Sequence, residues 1–287
     1  LILTKLRPPA TRSKTIWRDR LLQKLTLEPN VDLTLVCAPA GYGKTTLLID
    51  WTRQLNQAGI KVSWYSLDEN DNNPITFGTY LVASLEQALG TGSGLASVHQ
   101  MLRTSTDMDF LTLLPTVINS LCNTNHQIVL VLDDYHLVRT TMIHKAVEFL
   151  IIHRPDNFHI AIGSRSNPAL PLSRWRARGR LAELRAPDLR FVDEETKLFL
   201  SDSMQLELPD ELITRLSDQV EGIEVAGARV ERDLGAVFHH HLGAQNAQLD
   251  MIGVGEILDR RLGLQLIGTA VGGEAGEVRI FHGDLGA

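Results

Sequence analysis

The chain has 287 residues, of which 44% are hydrophobic, enough for one large or two small domains with a sizeable core. Its net charge of −6 argues against a dedicated nucleic-acid-binding surface in this segment. Two cysteines, Cys37 and Cys122, are too few for a disulfide framework, and no apolar run approaches the roughly 18 residues that span a bilayer. We therefore expect a cytoplasmic protein without a membrane segment, and the missing initiator Met predicts a fragment.

Short apolar runs alternate with helical patterns along the first two thirds of the chain. The predicted strands are 33–37, 62–67, 128–132, 159–163 and 181–186. The predicted helices are 44–57, 75–89, 109–122 and 141–152. Strands separated by helices form right-handed βαβ units, so the pattern predicts an α/β fold with a doubly wound parallel sheet. Ligands of such sheets bind at the carboxyl ends of the strands.

A phosphate-binding loop follows the first strand. Residues 38–45 read Ala-Pro-Ala-Gly-Tyr-Gly-Lys-Thr, which departs from G-x-x-x-x-G-K-[ST] only at Ala38. A methyl group there requires negative φ but removes no N–H donor. We expect Lys44 to reach the β- and γ-phosphates and Thr45 to hold Mg²⁺. The residues predicted to bind the nucleotide are Ala40, Gly41, Tyr42, Gly43, Lys44, Thr45 and Thr46. The alternative is a strand-to-helix turn with a chance Lys-Thr pair.

Two carboxylates end the third predicted strand. Residues 128–132 are continuously apolar, as in a strand buried on both faces, and Asp133 and Asp134 follow directly. In a P-loop NTPase the first such Asp holds Mg²⁺, and the second orients or deprotonates the attacking water. We predict Asp133 as a metal ligand and Asp134 as a catalytic residue. The alternative is that Asp133 caps a helix and Asp134 is solvated.

Polar residues also follow two other predicted strands. Arg165 comes after the run 159–163, where its guanidinium would sense the γ-phosphate or neutralise charge developing on it. A surface Arg after a strand is the alternative. Asp68 follows the second strand and is a reserve candidate for positioning water. Turn formation in the polar run 68–74 is the favoured interpretation of Asp68.

The pattern changes after residue 192. Asp193 is expected to cap a helix whose first turn holds Glu194 and Glu195, and 210–220 is expected to form another helix. We therefore divide the chain into a P-loop nucleotide-binding domain, 1–192, and the start of a helical lid, 193–221.

The segment 222–287 has a different composition. Thirteen of the 22 glycines lie there, and it contains no Lys, Pro, Ser, Trp, Tyr or Cys. This predicts an atypical Gly-rich tail from a frameshift or a foreign join, and a divergent lid is the alternative. The run His239-His240-His241 is not assigned to a metal, because three consecutive His side chains do not converge easily on one tetrahedral site.

Several motifs together resemble one family. They are Thr4-Lys5-Leu6-Arg7-Pro8-Pro9, Arg18-Asp19-Arg20-Leu21-Leu22, the loop 38–46, Trp64-Tyr65-Ser66-Leu67-Asp68, Leu132-Asp133-Asp134-Tyr135-His136, Ser164-Arg165, Arg176-Ala177-Arg178-Gly179-Arg180-Leu181 and Asp188-Leu189-Arg190-Phe191. Over roughly residues 1–221 the chain resembles the ATPase domain of the MalT-like activators. These are bacterial LuxR-type transcriptional regulators whose ATPase belongs to the STAND class.

The resemblance implies a nucleotide switch with ATP or ADP and Mg²⁺ as ligands. ATP and an inducer would drive self-association of the full-length protein, and slow hydrolysis would reset it. It implies that Arg18 or Arg20 lies near the nucleotide and that Arg165 senses the γ-phosphate. A solvated helix face is the alternative for Arg18 and Arg20. The arginines at 174–180 are expected to act within the ATPase domain.

The resemblance ends near Gly222, so we expect truncation before the sensor repeats and the DNA-binding domain. DNA would then be bound only through a C-terminal domain that is absent here. Two other functions stay open. One is a free-standing metabolic NTPase or kinase, and the other is an inert fragment that binds ATP without switching.

Overall fold

The computed structural model describes residues 1–10, 16–25, 27–90, 94–104, 110–199, 201, 264–267 and 279–282. The chain divides into two compact units, Leu1–Ile223 and Glu224–Ala287. In the second unit, β6 (Leu264–Ile267) pairs antiparallel with β7 (Arg279–His282). The predicted helix 210–220 and the three histidines at 239–241 lie outside the described residues, and the predicted domain boundaries stay predictions.

The first unit is built on a five-stranded sheet. Its strands are β1 (Leu33–Cys37), β2 (Lys61–Ser66), β3 (Ile128–Asp133), β4 (Phe158–Ser164) and β5 (Leu181–Arg185). They lie in the order β2-β3-β4-β1-β5, and every neighbouring pair is parallel. Because β1, β4 and β3 are neighbours and run parallel, the residues that follow these three strands lie at the same edge of the sheet.

Helices connect the strands. They are α1 (Asp19–Leu22), α2 (Lys44–Gln57), α3 (Pro74–Leu89), α4 (Ala96–Thr104), α5 (Leu114–Cys122), α6 (Thr141–Ile152), α7 (Leu172–Ala177), α8 (Ala186–Leu189) and α9 (Asp193–Leu198). None of the helices in the described part of the chain has both the length and the apolarity to cross a bilayer.

Side chains that alternate along each strand cover the two faces of the sheet with separate cores. In β3, Leu130 and Leu132 pack with α3, α4, α5, α6 and α7, whereas Val129 and Val131 pack with α1, α2 and α8. Successive strand residues point to opposite faces, so a continuously apolar strand must be covered on both sides. The predicted fold class, a doubly wound α/β sheet of the P-loop NTPase type, is confirmed.

Most predicted elements agree with the structure to within one residue at each end. The prediction for 109–122 was too simple, because a 3₁₀ turn at Phe110–Leu113 precedes α5. The short helix α4 was not predicted. The expectation that Asp193 caps α9 is wrong. Asp193 is the first helical residue, and the backbone N–H of Val192 donates to the Glu195 carboxylate over 3.4 Å.

A buried histidine makes the stability of this unit depend on pH. His159 lies in β4 with its Nε2 2.8 Å from Thr34 Oγ1 and the edge of the Trp51 ring nearby. Burial, assisted by the positive charge of Arg154, lowers the pKa of His159 to about 4. An unfolded histidine has a pKa of about 6.5. Between these two pH values, the unfolded chain binds more protons at this histidine than the folded chain does. The free energy of unfolding is therefore unaffected by His159 above pH 6.5 and decreases as the pH falls towards 4.

We predict that His159→Gln flattens this dependence. In the wild type, His159 lowers the free energy of unfolding by about 3 kcal/mol between pH 7 and pH 4, and the variant should not show this decrease. Urea unfolding at several pH values in this range measures the effect. The exposed His126 offers a matched control, since His126→Gln should follow the wild-type curve. A His159→Gln curve parallel to the wild type would contradict the assignment.

Candidate nucleotide-binding site

The loop between β1 and α2 has the backbone that a phosphate cradle needs. Gly41 and Gly43 have φ values of 82° and 74°, a left-handed conformation in which L side chains are strained. Gly43 is the N-cap of α2, so the first helical N–H groups point towards the loop. Ala38, which replaces the usual first Gly, is buried, and its N–H donates to the Ser164 carbonyl over 3.2 Å. The substitution is thus compatible with the loop.

Lys44 is folded over this loop. Its Nζ donates to the Pro39 carbonyl over 2.8 Å, and the residue is only 7% exposed. Burial and then the positive charge of Arg165 lower the pKa of Lys44, while Asp133 and Asp134 act in the opposite direction. Among the described residues this backbone carbonyl is the hydrogen-bond partner of the ammonium, which would donate more strongly to an anion.

Thr45 and Asp133 form the group of oxygens that suits a divalent cation. The Thr45 hydroxyl donates to Asp133 Oδ2 over 2.8 Å. Asp133 is only 2% exposed, and its Oδ1 is buried without a hydrogen-bond partner among the described residues. Burial raises the pKa of Asp133 to about 6. The Thr45 hydrogen bond opposes this rise, and the Asp134 charge makes a smaller contribution in the same direction as burial. A buried, unpaired carboxylate oxygen beside a hydroxyl fits Mg²⁺, which prefers oxygen ligands.

Asp134 occupies a different environment from Asp133. It has φ 56° and ψ 33°, and it is the non-glycine residue with positive φ in the described part of the chain. Its side chain is 39% exposed. The left-handed turn ends β3 and starts a 3₁₀ turn at Tyr135–Leu137. The two carboxylates are therefore separated by the backbone, one buried beside Thr45 and one open to solvent. The helix-capping alternative does not describe Asp133, which is the last residue of β3, whereas Asp134 is partly solvated, as that alternative expected.

His136 is a site residue for which the sequence analysis gave no role. Its Nδ1 is buried without a hydrogen-bond partner among the described residues and lies 3.8 Å from Asp134 Oδ1. Burial lowers the pKa of His136, the Asp134 charge raises it, and Arg165 and Lys44 lower it. At 3.8 Å, the imidazole is a neighbour of the Asp134 carboxylate without a hydrogen bond to it. The available signal was the position of His136 in the Asp-Asp-Tyr-His motif.

Arg165 lies directly after β4 and is exposed. Because its charge influences the pKa of both Lys44 and His136, it lies at the same edge of the sheet as these residues. The structure thus brings Lys44, Thr45, Asp133, Asp134 and Arg165 together, and their individual roles stay predictions.

Arg18 is buried in a contact that sequence reasoning did not reveal. Its Nη2 donates to Glu195 and to the carbonyls of Leu189 and Arg190, over 2.8 to 3.0 Å. Arg20 contacts the same carboxylate, and the Arg18 guanidinium lies 4.7 Å from the centre of the Phe191 ring. Burial opposes ionisation of Glu195, but these two arginines lower its pKa below the usual range. The alternative of a solvated helix face is wrong for Arg18, because the residue is only 5% exposed.

The strand-end residue Asp68 has a local role, as favoured from the sequence. Its carboxylate accepts from the Asn70 N–H over 2.8 Å and lies 3.1 Å from Lys5 Nζ. Two of the arginines at 174–180 also have partners within the unit, since Arg176 pairs with Glu183 and Arg180 with Asp32.

Comparison with known proteins identifies relatives of the chain. No protein-family model matches it. It is 37% identical over 226 residues to the HTH-type transcriptional regulator MalT of Serratia proteamaculans and 38% identical to MalT of Yersinia pestis. Each match covers 77% of this chain and 24% of the relative, so the chain spans about a quarter of the length of these regulators.

The matches among solved structures are more distant. A Walker-type ATPase of Pyrococcus abyssi has a TM-score of 0.46 and 17% identity, covering 91% of this chain and 80% of that one. Cdc6p of Pyrobaculum aerophilum has a TM-score of 0.45 and 15% identity, covering 76% and 58%. Over the matched residues, the sequence is similar to that of the MalT regulators.

Proposed function

We propose that this chain is the ATP-binding nucleotide-switch domain of a MalT-like regulator. It binds ATP or ADP with Mg²⁺ and hydrolyses ATP slowly. One observation carries the proposal: Thr45 and the buried, unpaired oxygen of Asp133 lie at the sheet edge that also holds Lys44 and Asp134. A bound cation explains why a carboxylate is buried there without an arginine or lysine ion pair in the described part of the chain.

Each residue has a distinct role in this proposal. Lys44 and the N–H groups of the loop bind the phosphates. Thr45 and Asp133 hold Mg²⁺, which neutralises charge that develops on the phosphates. Asp134 orients the attacking water and accepts its proton, and Arg165 contacts the γ-phosphate.

The wider assignments are also part of the proposal. The proposal includes Arg18 as a residue near the nucleotide. Its buried Nε and Nη1 have no hydrogen-bond partner in the described residues, which leaves them free to donate to a further acceptor. Because Arg18 also holds Glu195 in α9, this contact links the P-loop domain to the start of the predicted lid. Self-association with ATP and an inducer, and DNA binding through a C-terminal domain, are proposed for the full-length protein.

Turnover of ATP–Mg²⁺ by this chain distinguishes the switch from a metabolic NTPase. Metabolic enzymes have a median kcat of about 10 s⁻¹, whereas unstimulated GTPase switches work at about 10⁻⁴ to 10⁻² s⁻¹. We expect saturable ATP binding with turnover below about 0.1 s⁻¹ without an inducer. Turnover of about 1 s⁻¹ or more would contradict the switch and favour a metabolic NTPase or kinase.

A second measurement separates the switch from an inert fragment. A switch domain must respond differently to ATP and ADP, because only a differential interaction shifts a conformational equilibrium. Limited proteolysis with each nucleotide and Mg²⁺ reports that difference. Cleavage at the same rate with both nucleotides would indicate that the chain binds nucleotide without switching.

A further inference from the structure

Gly163, the penultimate residue of β4, lies directly beside the proposed metal ligand. It pairs with Val36 of β1, and on the other side Asp133 ends the neighbouring strand β3. A Cβ atom built on Gly163 would lie 2.5 Å from Asp133 Oδ1 and 2.9 Å from Leu48 Cδ1. Both distances are shorter than the contacts that Cβ atoms make in folded proteins, so any side chain at this position displaces a neighbour.

The backbone conformation does not explain the glycine. Gly163 is not among the described residues with positive φ, and its neighbours in β4 are the ordinary strand residues Ile162 and Ser164. Glycine in a strand interior weakens the strand, and it often marks a place where another group approaches the backbone closely. At Gly163 the approaching group is the Asp133 carboxylate.

The two crowded neighbours differ in their freedom to move. Leu48 Cδ1 is the end of an aliphatic side chain in α2, which has other rotamers. Asp133 is held by the Thr45 hydroxyl through Oδ2, and its Oδ1 is buried against β4. A methyl group on residue 163 therefore acts mainly on the position of Oδ1.

We propose that Gly163 is a positioning residue for the metal of the nucleotide site. The absence of a side chain lets the Asp133 carboxylate lie against β4 while it contacts Thr45, which is the position from which it would hold the cation. This inference rests on the proposed function of Asp133. In this proposal, Gly163 acts on Asp133, the residue that holds the metal, and does not contact the nucleotide.

The test is ATP affinity of Gly163→Ala with and without Mg²⁺, measured by calorimetry in excess Mg²⁺ and in EDTA. We expect the gain in affinity that Mg²⁺ provides to fall tenfold or more, whereas ATP affinity in EDTA changes less than about threefold. A Mg²⁺-dependent gain equal to that of the wild type would overturn the proposal. If the wild type itself shows no such gain, the proposed metal site fails, whatever Gly163 does.

The variant Leu48→Val, alone and combined with Gly163→Ala, separates positioning from packing. Removing Cδ1 of Leu48 relieves one of the two close contacts and restores folding if Gly163→Ala is unstable. We expect the double variant to keep the reduced Mg²⁺ dependence. Recovery of the wild-type Mg²⁺ gain would show that Gly163 acts through Leu48 and would overturn the proposal.

A double-mutant cycle with Asp133→Asn completes the test. If Gly163 acts through Asp133, Gly163→Ala should cause little further loss of Mg²⁺-dependent affinity once Asp133 is replaced. Independent, additive losses from the two substitutions would contradict a role through this carboxylate.

Discussion

Lys44→Ala is expected to abolish the stabilisation of this chain by ATP–Mg²⁺. A ligand at about 100 times its Kd adds about 2.7 kcal/mol to the free energy of unfolding. For a unit of this size, that corresponds to a rise in Tm of roughly 5–10 °C. Lys44 carries the charge that the proposal places on the phosphates, so its loss should remove the rise. Thermal unfolding with and without ATP–Mg²⁺ measures it.

Lys145→Ala is the matched control, because Lys145 is exposed on α6, far along the chain from the loop. It should retain the full rise in Tm. The same ATP-dependent rise in Lys44→Ala as in the wild type would show that the loop at 38–45 does not bind the nucleotide.

Asp133→Asn and Asp134→Asn are expected to separate metal binding from hydrolysis. Asp133→Asn removes the buried negative charge beside Thr45, so it should weaken Mg²⁺-dependent ATP binding. Asp134→Asn leaves that carboxylate in place and should preserve binding while slowing hydrolysis by about 10²-fold or more. Calorimetry gives the affinities, and single-turnover phosphate release gives the rates. Equal losses of ATP affinity in both variants would contradict this division of roles.

The parts of the fold that follow from short stretches of sequence could be predicted. The β1 strand, the loop and the start of α2 agree with prediction because adjacent residues specify them. Asp133 could be placed at a strand end because a continuously apolar run must lie within a covered sheet. The helix α4 was missed although its buried residues Val98 and Leu102 recur at helical spacing.

Contacts between distant parts of the chain were beyond sequence reasoning. Arg18 and Glu195 are separated by 177 positions, and nothing in either segment indicates that they form a buried pair. The cap of α9 was assigned wrongly because an Asp followed by two Glu residues suits an N-cap, whereas the helix begins one residue earlier than predicted, at Asp193, with Val192 as its N-cap. Gly163 reads as an ordinary strand residue until the position of the Asp133 carboxylate is known.

Amide hydrogen exchange with and without ATP–Mg²⁺ tests most directly where the nucleotide binds. The account predicts added protection in peptides that cover 38–46, because loop N–H groups bond to phosphate oxygens, and in those that cover 133–136 beside the metal. Lys44→Ala should lose this protection under the same conditions. Protection confined to other parts of the chain, or protection of 38–46 that persists in Lys44→Ala, would contradict the assignment of this sheet edge as the nucleotide site.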